Sequence, residues 1–353
     1  MLNTRRFRAP LKSVFHCGPA VRETGGISTV IDELTSIPNG SLRHIPMATW
    51  SSSDRDYGLV RALRALLLLV KKRITDGPFW VHLHVSERGS FIREGMVGHF
   101  MSLLGCGLAV TIHGADFVHD HGDWSSTAAR RLLKRADVVF SLGPVSASIV
   151  KGIAPDTGSV TLANPLNPPM DSDVSVMAQR PTTVIFGGEL SQRKGFDLLK
   201  AAWPLVTNKV PGATCQVFGP LSDVEVQNLP GGMTYLGNAS RHELLAAVAS
   251  AKIACLPSRR EVLPMFVLES MARGLAIVTT SVGELGQLGE EQGVTRVDHD
   301  PDEIADAICA LAEDPHRTAA FGQRSREWVM ENATTRHVIR TMEVAYKAAE
   351  GVA

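Results

Sequence analysis

The sequence predicts an α/β protein made of two Rossmann-like halves, each a parallel sheet with helices on both faces. Three observations carry this. Short apolar runs of strand length alternate with helix-length stretches along most of the chain, the pattern of repeated βαβ units. The chain has 353 residues, 44% of them hydrophobic, which suits two cores better than one. The alternation breaks once, at residues 163–181 (ANPLNPPMDSDVSVMAQRP), and then restarts. That break predicts an interdomain linker. It divides the chain into a first domain over 1–170, a second over 171–332, and a closing helix over 333–353 assigned to pack back on the first domain.

In the first half, SVFHC (13–17) reads as a strand and GPAVRETGG (18–26) as a glycine-bearing loop. ISTVIDELTSI (27–37) has helical spacing, and PFWVHLHVS (78–86) is a buried strand. REGMVGHFMSLLG (93–105) is a helix, LAVTIHG (108–114) a strand, SSTAARRLLKRA (125–136) a helix and DVVFSLG (137–143) a strand. In the second half, TTVIFGGEL (182–190) is a strand, GFDLLKAAWPLV (195–206) a helix, TCQVFGP (214–220) a strand and RHELLAAVASA (241–251) a helix. KIACLP (252–257) is a short strand ended by proline. MFVLESMARG (265–274) then continues as an apolar helix, with Pro264 suited to its first turn and Gly274 to its stop. LAIVTTSV (275–282) is the next strand, and DEIADAICALAED (302–314) with two further helical stretches closes the chain.

Charge and cysteine content narrow the function class. The formal net charge is zero, which argues against a dedicated nucleic-acid binder. The charge is uneven: residues 1–170 hold 19 Lys and Arg against 13 Asp and Glu, and the remainder 17 against 23. A basic first half suits an anionic membrane surface or a phosphate-bearing partner. Five cysteines lack CxxC spacing and read as reduced, buried thiols. No apolar run approaches the roughly 20 residues of a membrane span, and the basic N-terminus is followed by no secretory apolar segment. These features predict a cytoplasmic protein. LVRALRALLLLVKKR (59–73) is strongly apolar and basic at its end, and carries two readings. It is either a buried helix of the first domain or a helix lying on the anionic inner face of the membrane.

Two stretches carry the chemistry. In FGGELSQRKGFDLL (186–199), Gly187 and Gly188 end a strand, and Arg193, Lys194 and Gly195 lead into a helix. Cations beside a helix N-terminus suit a diphosphate; the bland alternative is a basic surface turn. Neither a Walker loop nor a G-x-G-x-x-G fingerprint is present, which disfavours a nicotinamide enzyme. In PSRREVLPMFVLESMARG (257–274), Glu261 stands at a strand's C-terminal end and Glu269 on the helix that follows. A carboxylate can accept hydrogen bonds from two adjacent hydroxyls, as in a ribose or hexose diol. Cations for a diphosphate with two carboxylates for diols describe a site for a nucleotide-activated sugar.

GGELSQRKGFDLL (187–199) with YLGNASRHELLAAVASAKIACLPSRREVLPMFVLESMARGLAIVTTSVGELGQL (235–288) resembles the second domain of family-4 retaining glycosyltransferases, of GT-B fold. The E-x7-E spacing, the RKG turn and the PSRRE lead-in all match across residues 182–290. GGIS, VHLHVSERGSFIREG and TIHGADF in the first half look like members that build bacterial exopolysaccharide or capsule. The resemblance implies two facing domains and a sugar transfer from a nucleotide-sugar donor to a glycan or polyprenyl-diphosphate-linked acceptor. It gives Glu269 the ribose hydroxyls, Glu261 the donor sugar, and Arg193 and Lys194 the leaving diphosphate. It places Gly188 at the strand end, the backbone of Leu263, Pro264, Met265 and Phe266 against sugar and diphosphate, Gly25 and Gly26 close to donor phosphates or acceptor, and His113 at the reacting centre. Two positions depart from the pattern. Glu189 stands where arginine is common, and Val262 where glycine is common, so the donor's identity is less constrained than the fold.

No metal or cofactor is expected. His82 and His84 share one strand face, and His119 and His121 have the same spacing, but no carboxylate or thiolate set accompanies them. The D-x-D matches Asp54/Asp56, Asp171/Asp173 and Asp298/Asp300 are too short to specify a metal. The alternatives to transfer are a nucleotide-sugar epimerase, a phosphorylase, and a catalytically inactive partner of the same fold.

Overall fold

The computed structural model describes residues 11–23, 25–36, 40–55, 58–86, 88–119, 123–169 and 180–351. The chain divides into two compact units: residues 1–167 with 333–353, and residues 168–332. The closing helical segment therefore belongs to the first unit.

The first unit runs β1 (Ser13–Pro19), α1 (Gly26–Ser36), β2 (Arg43–Trp50), α2 (Leu59–Asp76), β3 (Trp80–Val85), α3 (Arg88–Leu103), β4 (Gly107–Ile112), α4 (Ala115–His119), α5 (Asp123–Arg135), β5 (Val138–Ser141), α6 (Pro144–Ile153) and β6 (Ser159–Thr161). The second runs β7 (Thr183–Gly187), α7 (Phe196–Lys209), β8 (Thr214–Phe218), β9 (Met233–Tyr235), α8 (Arg241–Ser250), β10 (Ile253–Leu256), α9 (Met265–Ala272), β11 (Ala276–Thr280), β12 (Val294–Val297), α10 (Pro301–Glu313) and α11 (Pro315–Asn332). α12 (Thr335–Glu350) returns to the first unit.

Both sheets have six parallel strands, in the orders β2-β1-β3-β4-β5-β6 and β12-β11-β10-β7-β8-β9. Central strands such as β3, β4, β7, β10 and β11 are buried along their whole length, as parallel strands covered on both faces must be. The four edge strands β2, β6, β9 and β12 have no counterpart in the sequence reading. β6 and β9 are three residues long, and β2 carries Pro46, which an edge tolerates.

Each order reverses direction once, between β1 and β3 in the first sheet and between β7 and β10 in the second. In open α/β sheets, ligands collect beyond the carboxyl ends of the strands at such a reversal.

α12 is held to the first sheet by polar contacts as well as packing. Trp80 Nε1 donates to Glu350 Oε1 at 2.7 Å, and the Glu343 carboxylate accepts from the Ser41 and Leu42 amides at 2.6 and 2.8 Å. α2 buries only Ala62, Ala65, Leu66 and Leu69, and leaves Leu59, Val60, Leu63, Leu67, Leu68 and Ile74 exposed. Among the described residues, no helix is long and apolar enough to cross a membrane.

Candidate functional site

In the second unit, the loop after β7 and the loop after β10 meet at the reversal point. Gly188 has φ of 152°, and Gly195 caps α7 with φ of 74°. A Cβ on Gly195 would collide with the Pro257 carbonyl oxygen, so glycine is what lets the RKG turn lie against the end of β10. Arg259 locks the two loops together: its guanidinium donates to both Asp197 oxygens at 2.8 Å, and its amide donates to the Arg193 carbonyl at 2.8 Å. The bidentate fork fixes geometry as well as charge.

This arrangement brings Lys194 onto Glu261. Lys194 Nζ forms an ion pair with Glu261 Oε1, and the Ser258 hydroxyl donates to the same oxygen at 3.3 Å. Glu261 is nearly buried, with its side chain 9% exposed. Arg193 is more open: its Nη1 lies 4.0 Å from Glu261, while Nη2 donates to Glu189 at 3.3 Å. Glu189 thus neither turns away nor stands idle; it offsets the charge of Arg193.

Glu269 lies one turn into α9, a helix whose eight residues are all buried. Such a helix shows no amphipathic stripe because it is covered all round. Arg241, the first residue of α8, donates from Nε to Glu269 Oε1 at 2.8 Å. Pro264 is the N-cap of α9, with φ of −71° and ψ of 135°, one position before the first turn where it was expected. The side chains of Leu263, Met265 and Phe266 are buried, and Phe266 packs where a Cβ on Gly187 would stand. What these residues can offer a ligand is backbone, including the first-turn N–H groups of α9, for which the helix itself supplies no acceptor.

Val262 is buried, and among the described residues the one non-glycine with positive φ is Asn228. Valine at position 262 is therefore unstrained. The glycine required here lies on the neighbouring loop after β11: Gly283, at φ of 52°, where a Cβ would strike the Glu261 carbonyl.

In the first unit, Gly25 (φ 152°) precedes α1, and its carbonyl accepts from the Ser28 hydroxyl at 2.9 Å. Gly26 opens α1 beyond the carboxyl end of β1. His113 follows β4 directly, and its ring is half-buried behind three others. His84 Nδ1 lies 3.0 Å from His113 Nε2, His16 Nδ1 lies 2.9 Å from His84 Nε2, and His44 Nδ1 lies 2.8 Å from His16 Nε2. Burial lowers the pKa of all four, His44 to about 4 and His113 to about 3, so the rings are neutral at neutral pH.

His16, His82 and His84 offer ring nitrogens within 4.8 Å of one another, a spacing open to a metal ion. All six of those nitrogens already face a partner, however: His82 Nε2 meets Thr111 Oγ1 at 2.6 Å and Nδ1 meets the Tyr346 hydroxyl at 2.8 Å. The side chain of His119 and all of His121 lie outside the described residues, as do Asp56 and the Asp171/Asp173 pair. Asp300 is explained as the N-cap of α10.

Sequence reasoning did not identify Arg241, Ser258, Asp197 or Gly283. Asp197 and Ser258 stand within the RKG and PSRRE stretches themselves, and Arg241 and Gly283 in the segment around them, but these are ordinary polar or turn residues whose contacts appear only in the fold.

Residues 181–314 match the family model described as glycosyl transferases group 1. The second unit carries a glycosyltransferase group 1 domain. Among curated proteins, the chain is 28% identical over 162 residues to a glycogen synthase of Mycobacterium tuberculosis, covering 42% of this chain and 38% of that protein. It is also 28% identical over 169 residues to a GDP-mannose-dependent alpha-(1-6)-phosphatidylinositol monomannoside mannosyltransferase of M. tuberculosis, covering 43% and 44%. The alignments thus span less than half the length of these relatives. Among solved structures, sucrose-phosphate synthase from Thermosynechococcus elongatus superposes with a TM-score of 0.76 at 17% identity, covering 97% of this chain and 100% of that one. The fold is of the two-domain α/β, GT-B type.

Proposed function

We propose that the protein is a retaining, metal-independent hexosyltransferase that moves a sugar from a nucleotide-sugar donor to a glycan or polyprenyl-diphosphate-linked acceptor in cell-surface polysaccharide synthesis. The observation that carries this reading is the pairing of two nearly buried carboxylates with cations beyond β7 and β10: Lys194 with Glu261, and Arg241 with Glu269. Buried carboxylates held by cations on one side keep lone pairs for hydroxyls on the other. Glu269 takes the ribose diol and Glu261 the donor sugar. Lys194, Arg193 and the first-turn amides of α9 take the diphosphate, with Gly188 giving the chain close approach.

Departure of the diphosphate builds negative charge on its oxygens and positive character on the sugar carbon. Fixed cations and backbone N–H groups stabilise that charge without reorganising, an effect worth several kcal/mol in sites of this type. The leaving phosphate oxygen then accepts the acceptor's proton, so retention needs no carboxylate nucleophile and the two glutamates act as binding groups. Gly25 and Gly26 give the chain close approach to the donor phosphates or the acceptor, and His113 serves the reacting centre. The mycobacterial relative's dependence on GDP-mannose supports a nucleotide-sugar donor. Membrane-peripheral work on a lipid-linked acceptor is supported by the exposed apolar and basic face of α2.

The test is thermal stability against UDP-, GDP-, ADP- and TDP-sugars with EDTA present, in wild type and Glu269→Ala. A donor at 100 times its Kd adds about 2.7 kcal/mol. One nucleotide should stabilise the wild type and not the variant, and the product's anomeric configuration, read by NMR, should match the donor's. No stabilisation by any nucleotide sugar would overturn the reading.

A further inference from the structure

The four-ring chain that ends at His113 follows from sheet register. His44 sits opposite Val14, two residues before His16 on β1. His16 sits opposite His82, two residues before His84 on β3. His84 sits opposite Thr111, two residues before His113. All four rings therefore share one sheet face, and each step to the next strand climbs one pleat toward the carboxyl edge. The result is a diagonal of hydrogen-bonded imidazoles across β2, β1, β3 and the end of β4.

Neutral imidazoles constrain one another. Each carries one N–H, and each of the three contacts needs one proton between two nitrogens. Four protons serve three contacts, so one is left at an end. Either every ring is protonated at Nδ1 and His113 donates outward from Nδ1, or every ring is protonated at Nε2 and the spare proton sits on His44 Nε2. That atom is buried and has no hydrogen-bond partner among the described residues. Burying an unpaired N–H is the rarer and costlier state, while an acceptor left unpaired is better tolerated. His82 stands outside the chain, held by Thr111 and Tyr346.

We infer that His44, His16 and His84 are positioning residues that fix the ring and the tautomer of His113, so that a neutral imidazole donates from Nδ1 to an accepting substrate oxygen. The substrate part rests on the transferase reading; the tautomer part does not. The oxygen belongs either to a phosphate or to a sugar hydroxyl. A serine, lysine or cationic histidine at the end of β4 would lack this fixed single-donor polarity.

The experiment is long-range proton–nitrogen NMR on the full chain labelled with 15N-histidine at neutral pH, with His113→Gln used to assign the His113 signals among the 12 histidines. His113 should be found in the Nδ1–H form. In His44→Asp, the new carboxylate can only accept, so it draws the proton onto His16 Nε2 and switches His113 to the Nε2–H form from three rings away. His44→Asn, whose amide still donates to His16, should keep the wild-type tautomer. A purely structural role for these rings would leave the tautomer of His113 unmoved.

Wild-type His113 in the Nε2–H or cationic form overturns the inference, as does an unchanged His113 in a His44→Asp variant with a native melting curve. Adding a nucleoside diphosphate alone and then a nucleotide sugar separates the two oxygen sources: a shift of the Nδ1–H signal with the first marks phosphate, and a shift only with the second marks the sugar. Donor that binds without shifting this signal also overturns it. If His113 is Nδ1–H but no nucleotide sugar stabilises the protein, the transferase reading fails and the tautomer chain stands.

Discussion

Glu189 sets how much positive charge the RKG turn offers an anion. Its carboxylate is half-exposed and holds the half-exposed Arg193 at 3.3 Å, while Lys194 is already engaged with Glu261. Removing the offset should free the guanidinium, so Glu189→Ala is expected to lower the Kd for nucleoside diphosphate several-fold, with the gain shrinking at high salt. Isothermal titration at two ionic strengths measures this, and an unchanged Kd would show that Arg193 does not reach the ligand. Lys194 has the opposite character, because its partner is nearly buried. Lys194→Ala leaves Glu261 with only the more distant Arg193 as cation, at 4.0 Å, and should lower stability by roughly 1–3 kcal/mol, read as a lower urea midpoint at constant slope. Glu261 and Glu269 were legible in the sequence because a carboxylate at a strand end or on an apolar helix conflicts with its surroundings. Arg241 and Ser258 were not, because ordinary polar residues at helix and loop starts carry no such conflict. Val262 looked like a departure, yet the conformation that needs glycine falls on Gly283 instead.

The elements that sequence alone delivered are the central ones. β1, β3, β4, β5, β7, β10 and β11 are apolar because both faces are covered, and β8 follows at all but Thr214 and Gln216; that is the signal periodicity reads. The edge strands β2, β6, β9 and β12 bury less or are too short to show a pattern, and their pairing depends on a neighbour that only the fold supplies. Helix starts show the same division: the sequence places Gly195 in a basic turn, but its left-handed conformation and its close approach to Pro257 appear only in three dimensions. Gly195→Ala should therefore destabilise the second unit by more than ~1 kcal/mol, where the same change at a compatible site would stabilise, with a matching fall in melting temperature. The histidine diagonal makes a second prediction at this scale. Burial holds His16, His82, His84, His44 and His113 below the ordinary value of 6.5, with Glu343 opposing part of the shift at His44. Below pH 6.5 the unfolded rings bind protons that the folded rings refuse, so unfolding takes up protons and stability falls as pH falls. The contribution is fully present above pH 6.5 and is lost steadily down to about 4 for His44 and about 3 for His113. Each such ring adds about 1.4 kcal/mol per pH unit to the slope. Melting temperatures from pH 7 to pH 4 should show a steep loss that flattens in His82→Phe or His44→Phe, and a pH-independent melting temperature across this range would contradict the buried, neutral assignment.

The chain as a whole is neutral, but its first 170 residues carry six more Lys and Arg than Asp and Glu, 19 against 13. α2 shows what that excess accompanies. Its inner stripe of Ala62, Ala65, Leu66 and Leu69 meets the core, while Leu63, Leu67, Leu68 and Ile74 face outward beside the exposed Arg64, Lys71 and Lys72. α3 adds exposed Phe100 and Leu103, Leu104 follows directly after it, and Arg73 Nε ties the end of α2 to that turn by donating to the Leu104 carbonyl at 2.8 Å. An apolar face rimmed by cations fits the headgroup–acyl boundary of an anionic bilayer better than it fits bulk water or an uncharged partner. Each basic residue at such a surface is worth about 1 kcal/mol, and Lys72 delivers less while it is paired with Asp76 at 3.1 Å. The full chain should float with vesicles containing phosphatidylglycerol, should not float with pure phosphatidylcholine, and should lose the first behaviour as salt shortens the range of the electrostatic attraction. Leu67→Glu puts a carboxylate on the outward face without touching the core, so it should abolish flotation at an unchanged melting temperature. Binding that survives in Leu67→Glu, or that ignores lipid charge, would remove α2 as the membrane face. In that case a lipid-linked acceptor would have to reach the protein by another surface.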